Sequence, residues 1–194
     1  MSIFMNRVLN AVGILGMLST IIVTTDCSSR SLPQGALAGG QYNYSPSVIE
    51  NGNTRQIWWC SKGVNPSDKS QDTDSIYYES INTSTHESFG PVLVLAETPG
   101  AWDSAYTCNP KVIGGVFASP LDDGQTYTYA MYYVATTEPD GANNSIGVAF
   151  SKDGIVWNKY PKPVIQSTSQ TGYGVGQPTL YNADRKAAIQ MFYE

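Results

Sequence analysis

After residue 30, short apolar runs rich in aromatic residues alternate with clusters of Gly, Pro, Asn, Ser and Asp. No sustained helical periodicity is present, so this pattern predicts β-strands separated by turns. One block occurs three times: a polar residue, Pro, a variable residue and then aliphatic or aromatic residues. The three copies are Ser45–Ile49, Asn109–Ile113 and Gln177–Tyr181. Each copy predicts a short strand whose first residue is polar and held in position.

Two further motifs follow the block in a constant order. An apolar, aromatic run comes first, and it predicts a second strand in each unit. These runs are Ile57–Cys60, Tyr129–Val134 and Ile189–Tyr193. A serine-bounded run comes next in the first two units, as Ser75–Ser80 and Ser145–Ser151.

The outer part of each unit is predicted from turn chemistry. Asp153-Gly154 lies between two apolar segments, and this dipeptide favours a tight hairpin turn. Beyond it, Pro161–Ile165 has the composition of an outer-edge strand, and Pro91–Leu95 is its counterpart in the first unit. Each unit therefore supplies about four strands, the content of one propeller blade.

The predicted fold is an all-β propeller of four-stranded antiparallel blades. The blades span about 42–100, 101–168 and, incompletely, 169–194, so about two and a half are present. A β-sandwich with chance resemblance between its strands is the alternative. A closed propeller requires at least about four blades, so we expect the sequence to be a fragment of a protein of roughly 330 residues or more.

Composition agrees with this prediction and narrows the class of partner. Aromatic residues make up 11% of the chain and charged residues only 14%, with 18 Gly and 11 Pro. The net charge is −5, and no cluster of Lys and Arg occurs. Nucleic acid is therefore excluded as an expected partner, because phosphates require a basic surface. A neutral partner such as an oligo- or polysaccharide is compatible with this charge.

The first 27 residues differ from the rest. Arg7 precedes the apolar stretches Val12–Leu18 and Ile21–Val23, the arrangement of a secretory signal peptide. Cys27 leaves open a lipoprotein signal, which would anchor the protein to a membrane through a lipid; the residues 28–41 are expected to form a flexible leader. The predicted location is extracellular, periplasmic or lipid-anchored at the cell surface.

Cys60 and Cys108 are open to two interpretations. In an exported protein they would form a disulfide, and otherwise they are two separate buried thiols. Neither has a His or Cys at ligand spacing, so no metal site and no cofactor is predicted.

The repeated unit, ending in Ser145-Ile146-Gly147-Val148-Ala149-Phe150-Ser151 and Asp153-Gly154-x-x-Trp157, resembles the five-bladed β-propeller glycoside hydrolases. Family 43 is the most similar, with families 32, 62, 68 and 130 as relatives. The resemblance implies hydrolysis of xyloside, arabinoside or fructoside-type glycans in a funnel on the propeller axis. It also implies Asp before the first-blade Pro as general base, Asp before the third-blade Pro as orienting group, and a general acid Glu from the fourth blade.

The sequence departs from that pattern at both comparable positions, which are Ser45 and Gln177. Neither side chain serves as a base at neutral pH, so the sequence leaves open whether the protein is an enzyme. Asp103 and Glu79 are weak replacement candidates, with Glu50 a third, and each is expected to be an ordinary surface or turn acid. His86, the only His, is expected to be a solvated loop residue.

A sugar-binding site does not require the missing carboxylates. Ser45, Asn109 and Gln177 are predicted to converge at the axial mouth, and Trp102 and Tyr173 to lie at its rim, with Tyr173 on a flexible Gly172–Gly176 loop. The pair Trp58-Trp59 is expected to pack, with one ring facing each side of its sheet. Three functions remain open: a glycoside hydrolase, a non-catalytic glycan-binding propeller, and a structural or protein-binding propeller.

Overall fold

A computed structural model of the chain describes residues 42–62, 73–118, 121, 123–168, 172–182 and 189–194. The predicted signal peptide and leader lie outside these residues. Over the part that is described, no helix has the length and apolar character needed to cross a membrane.

The described residues form two four-stranded antiparallel sheets and a small two-stranded one. The first sheet contains, in spatial order, β1 (Tyr42–Asn51), β2 (Thr54–Lys62), β3 (Asp74–Asn82) and β4 (Ser88–Leu95). The second contains β5 (Tyr106–Ala118), β6 (Thr126–Thr136), β7 (Ser145–Ser151) and β8 (Trp157–Lys159). The small sheet pairs β9 (Thr179–Tyr181) with β10 (Gln190–Phe192). The prediction of two blades and the beginning of a third is confirmed.

The strands that carry the repeated Pro block are the innermost ones. Each of β1, β5 and β9 lies at the edge of its own sheet; β1 contacts β5, and β5 contacts β9. Between the first two, the backbone N–H of Val112 donates to Ser47 Oγ at 2.9 Å. The blades are therefore arranged around a common axis, with the three blocks facing it.

The outer edge of the second blade differs from the prediction. The edge strand is β8, Trp157–Lys159, whereas Pro161–Ile165 pairs only around Ile165, whose bridge partner is Ile146. Pro161 and Pro163 lack the backbone N–H that a longer ladder would require. In the first blade, the predicted edge strand Pro91–Leu95 lies within β4.

The largest apolar cluster packs the first sheet against the second. Trp58 is fully buried at its centre, and its ring lies 5.2 Å from that of Tyr78 in its own sheet and 6.0 Å from that of Tyr129 in the other. Trp59 points to the opposite face of the first sheet, where it packs with Tyr77. The predicted division of the two tryptophans between the two faces is confirmed, as strand alternation requires.

The turn between β7 and β8 is built by the predicted Asp153-Gly154 pair. Ser151 Oγ accepts the N–H of Gly154 at 2.8 Å, and Asp153 Oδ1 accepts the N–H groups of Ile155 and Val156 at 2.8 and 2.9 Å. These bonds satisfy the backbone of the turn locally and fix its orientation.

This turn is attached to the first sheet through a single carbonyl group. The Gly154 oxygen accepts the indole N–H of Trp58 at 2.8 Å and that of Trp157 at 3.0 Å. Gly154 has a φ of +81°, and a Cβ at this residue would lie 2.8 Å from Cζ2 of Trp58. Glycine is therefore required twice, for its backbone conformation and for the space occupied by the Trp58 ring.

The two sheets are also joined covalently. A disulfide connects Cys60 of β2 to Cys108 of β5, with their Cα atoms 5.1 Å apart, so the disulfide interpretation is confirmed. The bridge closes a loop with a sequence separation of 48 residues. Loop-closure entropy for that length corresponds to about 4 kcal/mol of stabilisation.

We predict that Gly154→Ala lowers the free energy of unfolding by about 2–4 kcal/mol, because it combines a left-handed backbone with a clash against Trp58. Gly52→Ala is the matched control, since Gly52 has a φ of +58° but open space around its Cβ position. The control should lose only about 1 kcal/mol. Denaturant unfolding measures both values, and equal losses would contradict the role assigned to the Trp58 contact.

Candidate functional site

The three Pro blocks share one backbone irregularity. The residue before each Pro has a left-handed conformation: φ is +49° at Ser45, +48° at Asn109 and +50° at Gln177. Non-glycine residues adopt this region rarely, and it costs on the order of 1–3 kcal/mol where the surrounding structure holds it. Because this conformation recurs at three equivalent positions, it is a regular part of the blade architecture and not a chance irregularity.

The same irregularity appears in the strand pairing as a bulge. A step of three residues along the inner strand opposes a step of two along its partner. The paired residues on either side of the bulge are Tyr44–Cys60 and Ser47–Trp58, then Cys108–Val134 and Lys111–Tyr132, then Gly176–Glu194 and Thr179–Phe192. Because Pro has no N–H to donate, the ladder is interrupted there, and the bulge re-aims the preceding polar side chain.

The bulges bring the three polar residues to one cavity of about 210 Å³. Its lining consists of Ser45, Pro46, Asn109, Pro110, Lys111, Gln177, Pro178 and Thr179. We call this space the axial cavity. The structure thus places together the three side chains that the repeat singled out. Lys111 joins them, and the sequence analysis missed it although it follows Pro110 at the position that Ser47 and Thr179 occupy in the other copies.

A larger cavity of about 490 Å³ adjoins the axial cavity, since Asn109 and Gln177 line both. We call it the outer cavity. Its polar and aromatic lining includes Tyr44, Lys62, Asp74, Tyr106, Asp140 and Tyr173. Tyr44, Cys108 and Asn109 of the inner strands line it just ahead of the prolines, whereas Pro46, Pro110 and Pro178 line the axial cavity, so the two cavities follow one another along these strands. Tyr173 faces this space as predicted, and Asp74 and Asp140 are acids that the sequence analysis missed.

Tyr44 and Asp74 form a polar pair in the outer cavity. The Tyr44 hydroxyl donates to Asp74 Oδ2 at 2.7 Å, next to the Cys60–Cys108 disulfide. Asp74 and the two sulfur atoms are close enough to suggest a metal site, but bridged sulfurs are not thiolates and do not act as metal ligands there. The pair is therefore a hydrogen-bonding element of the cavity wall.

The loop that carries Tyr173 is attached to the second blade, whereas we expected it to be flexible. The Tyr173 carbonyl accepts the backbone N–H of Asn144 at 2.9 Å and its side-chain N–H at 2.8 Å, and the Asn144 carbonyl accepts the N–H of Val175 at 2.9 Å. Asn144 is fully buried, and its Oδ1 also accepts a hydrogen bond from the Tyr106 hydroxyl. One buried asparagine thus positions both aromatic side chains.

These tyrosines are held in their neutral form. Burial, followed by the neighbouring Tyr173, raises the pKa of Tyr106 to about 12. Burial also raises the pKa of Tyr173, although its hydrogen bond with Gln177 opposes the shift. At physiological pH both rings present a neutral hydroxyl together with a flat apolar face, which suits contact with a sugar ring.

Trp102 does not lie at the rim of the site, contrary to the prediction. Its ring stacks on Tyr133 with a centroid distance of 5.8 Å and packs against the core between the sheets. A Cβ on Gly147 would lie 2.7 Å from this ring, so the glycine leaves space for it. The ring lines neither cavity, because the apolar space between the blades accommodates it.

Two of the candidate acids are buried rather than on the surface. Asp103 is 2% exposed; it forms an ion pair with Lys159 and accepts a hydrogen bond from Thr98. Burial and this carboxylate raise the pKa of the adjacent Tyr133. Glu79 is fully buried in β3. Glu79 is therefore neither a surface nor a turn acid, contrary to the expectation, whereas Asp103 does lie in a turn but is buried there. Neither carboxylate lines the axial or the outer cavity.

The other two sequence candidates lie on the surface. Glu50 pairs with Arg55 at 2.6 Å, and both side chains are largely exposed. His86 is exposed in the turn after β3. These placements agree with the expectation of ordinary surface residues.

The sequence matches no protein-family model and has no significant match among curated proteins. Solved structures do match. An α-L-arabinofuranosidase from Lactobacillus brevis aligns with a TM-score of 0.57 and 16% identity over 84% of this chain and 48% of that one. A protein whose structure is described as an RGII complex aligns with a TM-score of 0.54 and 18% identity over 80% of this chain and 49% of the other.

The chain therefore spans about half the length of the solved structures that it matches. At this level of identity the likeness establishes the fold. The described residues form part of a β-propeller of the type found in the five-bladed glycoside hydrolases, as the repeated sequence unit implied.

We predict that Gly174→Ala detaches the Tyr173 loop. A Cβ on Gly174 would lie 2.4 Å from the backbone nitrogen of Asn144, whereas one on Gly172 would meet nothing within 4 Å. Both residues have positive φ, so Gly172→Ala controls for backbone strain. The Val175 amide should exchange with solvent roughly tenfold faster in Gly174→Ala than in the control, the scale of one lost hydrogen bond. Equal exchange in the two variants would show that the loop is held by other contacts.

Proposed function

We propose that this protein is an exported, carbohydrate-active propeller that binds a saccharide in the axial and outer cavities. The observation that supports this most directly is the convergence of Ser45, Asn109 and Gln177, each in a strained backbone conformation, on one cavity. Strain of this kind is concentrated at functional sites. A purely structural inner strand would not need it three times.

The chemistry of the lining suits sugar hydroxyls. Ser, Asn and Gln side chains both donate and accept hydrogen bonds, as a hydroxyl does. Asn109 is only 8% exposed, and its Oδ1 has no hydrogen-bond partner among the described residues. An unsatisfied buried polar atom costs about 1–3 kcal/mol, so a ligand hydroxyl that bonds with the Asn109 amide would be stabilised. Tyr106 and Tyr173 supply flat rings in the adjoining cavity.

Export is supported by two features. The first is the predicted signal peptide, and the second is the disulfide between Cys60 and Cys108. Structural disulfides persist in oxidising compartments and are rare in the cytosol. The open alternative of a lipid on Cys27 would leave the binding site unchanged.

Glycoside hydrolysis is a second candidate, favoured by the acids of the outer cavity. Hydrolysis requires two carboxyl groups on opposite sides of the glycosidic bond. Among the described residues that line the axial cavity there is no carboxylate. The outer cavity contains Asp74 and Asp140, which therefore replace Asp103 and Glu79 as candidates.

Saccharide binding is tested by calorimetry of the full chain against xylo- and arabino-oligosaccharides. We predict that Asn109→Ala and Gln177→Ala each weaken binding about tenfold, the contribution of one or two hydrogen bonds. Asn51→Ala and Gln190→Ala are matched controls, because both side chains are exposed and line neither cavity. Undiminished binding in the cavity variants would place the sugar elsewhere, and no binding of any saccharide would favour a structural or protein-binding propeller.

Hydrolysis is tested with aryl-xyloside and aryl-arabinoside substrates. We predict weak turnover by the wild-type protein and a gain of about 10²-fold or more in the double variant Ser45→Asp, Gln177→Asp, which introduces carboxylates at the two axial positions. Robust wild-type turnover that survives Ser45→Ala but is lost in Asp74→Asn or Asp140→Asn would instead assign catalysis to the outer cavity.

A further inference from the structure

The described lining of the axial cavity includes one cationic residue. Lys111 lies on β5 directly after Pro110 and is half-buried. The equivalent residues of the other two blocks, Ser47 and Thr179, carry hydroxyl groups. At the position after the block Pro, the second blade therefore carries a positive charge where the first and third carry a neutral hydroxyl group.

The Lys111 ammonium group has no anionic partner in the described part of the chain. The two ion pairs found there join Glu50 to Arg55 and Asp103 to Lys159. Lys111 also makes no side-chain hydrogen bond with a described residue. By contrast, the partly buried ammonium group of Lys159 is neutralised by the buried carboxylate of Asp103. Lys111 instead faces a cavity whose described lining is otherwise neutral.

A second unpartnered group lies beside it. Asn109 is two residues earlier on the same strand, is more than nine-tenths buried and lines both cavities. Its Oδ1 has no hydrogen-bond partner in the part of the chain that the structure describes. Ser45 and Gln177 complete the wall with neutral donors and acceptors. The site thus combines hydroxyl recognition with one cation in a partly desolvated space, where a charge-assisted hydrogen bond is about twice as strong as a neutral one.

We infer that the axial cavity takes a sugar unit with an acidic substituent, a carboxylate as in a uronic acid, and that Lys111 binds that substituent. This inference rests on the proposed function, since it names the class of saccharide. The expected specificity is electrostatic, because a neutral sugar leaves the ammonium group without a counter-charge, whereas an acidic sugar neutralises it. A sulfate ester on the sugar presents the same chemistry to Lys111.

The test compares ligands that differ only in charge. Calorimetry of the full chain with tri-galacturonate, its methyl ester and a neutral galactose trisaccharide isolates the carboxylate, and a sulfated galactose trisaccharide distinguishes the two acidic groups. We expect the free acid to bind about tenfold or more tightly than its ester, the scale of a hydrogen bond to a charged group. The difference should shrink as salt is raised.

The protein variants locate the effect. Lys111→Gln should abolish the difference between acid and ester, and Lys111→Arg should retain most of the difference. Lys162→Gln is the matched control, because Lys162 is exposed and lines neither cavity. A melting temperature close to that of the wild type verifies that each variant is folded.

Each outcome is informative about both proposals. If acid and ester bind equally, or if their difference persists in Lys111→Gln, the inference is overturned, while binding that is weakened by Asn109→Ala still supports the proposed function. If no saccharide binds at all, both are overturned. Preferential binding of the sulfated over the carboxylated ligand, lost in Lys111→Gln, supports the cation's role and identifies the source of the negative charge.

Discussion

The arrangement of the described residues depends on the packing of the first sheet against the second around Trp58. Its indole is fully buried between the sheets and donates to the carbonyl of Gly154 on the far sheet. Burial of a ring of this size stabilises by several kcal/mol, and the hydrogen bond makes the contact directional. The Cys60–Cys108 disulfide adds a covalent constraint closer to the axis. Together they keep β1 beside β5, and this arrangement brings the polar residues that precede Pro46 and Pro110 to one cavity.

The bulges give this packing a polar lining at the axis. In a regular strand, the side chains before Pro46, Pro110 and Pro178 would follow the alternation of the sheet. The left-handed backbone at those residues breaks the alternation and directs polar groups to the axis. The cost of each bulge is local, and the ladders on either side compensate for it. The propeller is thus a support, and the chemistry of the site depends on which side chains occupy the three positions before the block prolines.

Neutral side chains before the three block prolines distinguish this site from one built on carboxylates. The candidate acidic residues lie in different environments. Asp103 is buried in an ion pair with Lys159 away from both cavities, and Asp74 and Asp140 face the outer cavity. Among the described residues that line the axial cavity, Lys111 is the one cation, and it forms no ion pair with a described residue. The proposed recognition of a saccharide by hydroxyl-bonding groups and one positive charge uses the polar part of the described lining and requires no catalysis at that point.

The blades and their order could be predicted from the amino-acid sequence, because strand period and turn chemistry are local properties. The Pro block predicted the innermost strands, and alternation predicted that Trp58 and Trp59 face opposite sides of their sheet. The environment of a side chain that lies outside a regular pattern depends instead on how the blades pack in three dimensions. Trp102 precedes β5 in a loop, and nothing local indicates that it stacks on Tyr133. The pairing of Asp103 with Lys159 joins residues far apart in the chain, so burial and charge pairing follow from which blades are neighbours. The same holds for Lys111: its charge is evident in the sequence, but its position in a neutral cavity follows from three strands meeting at one axis.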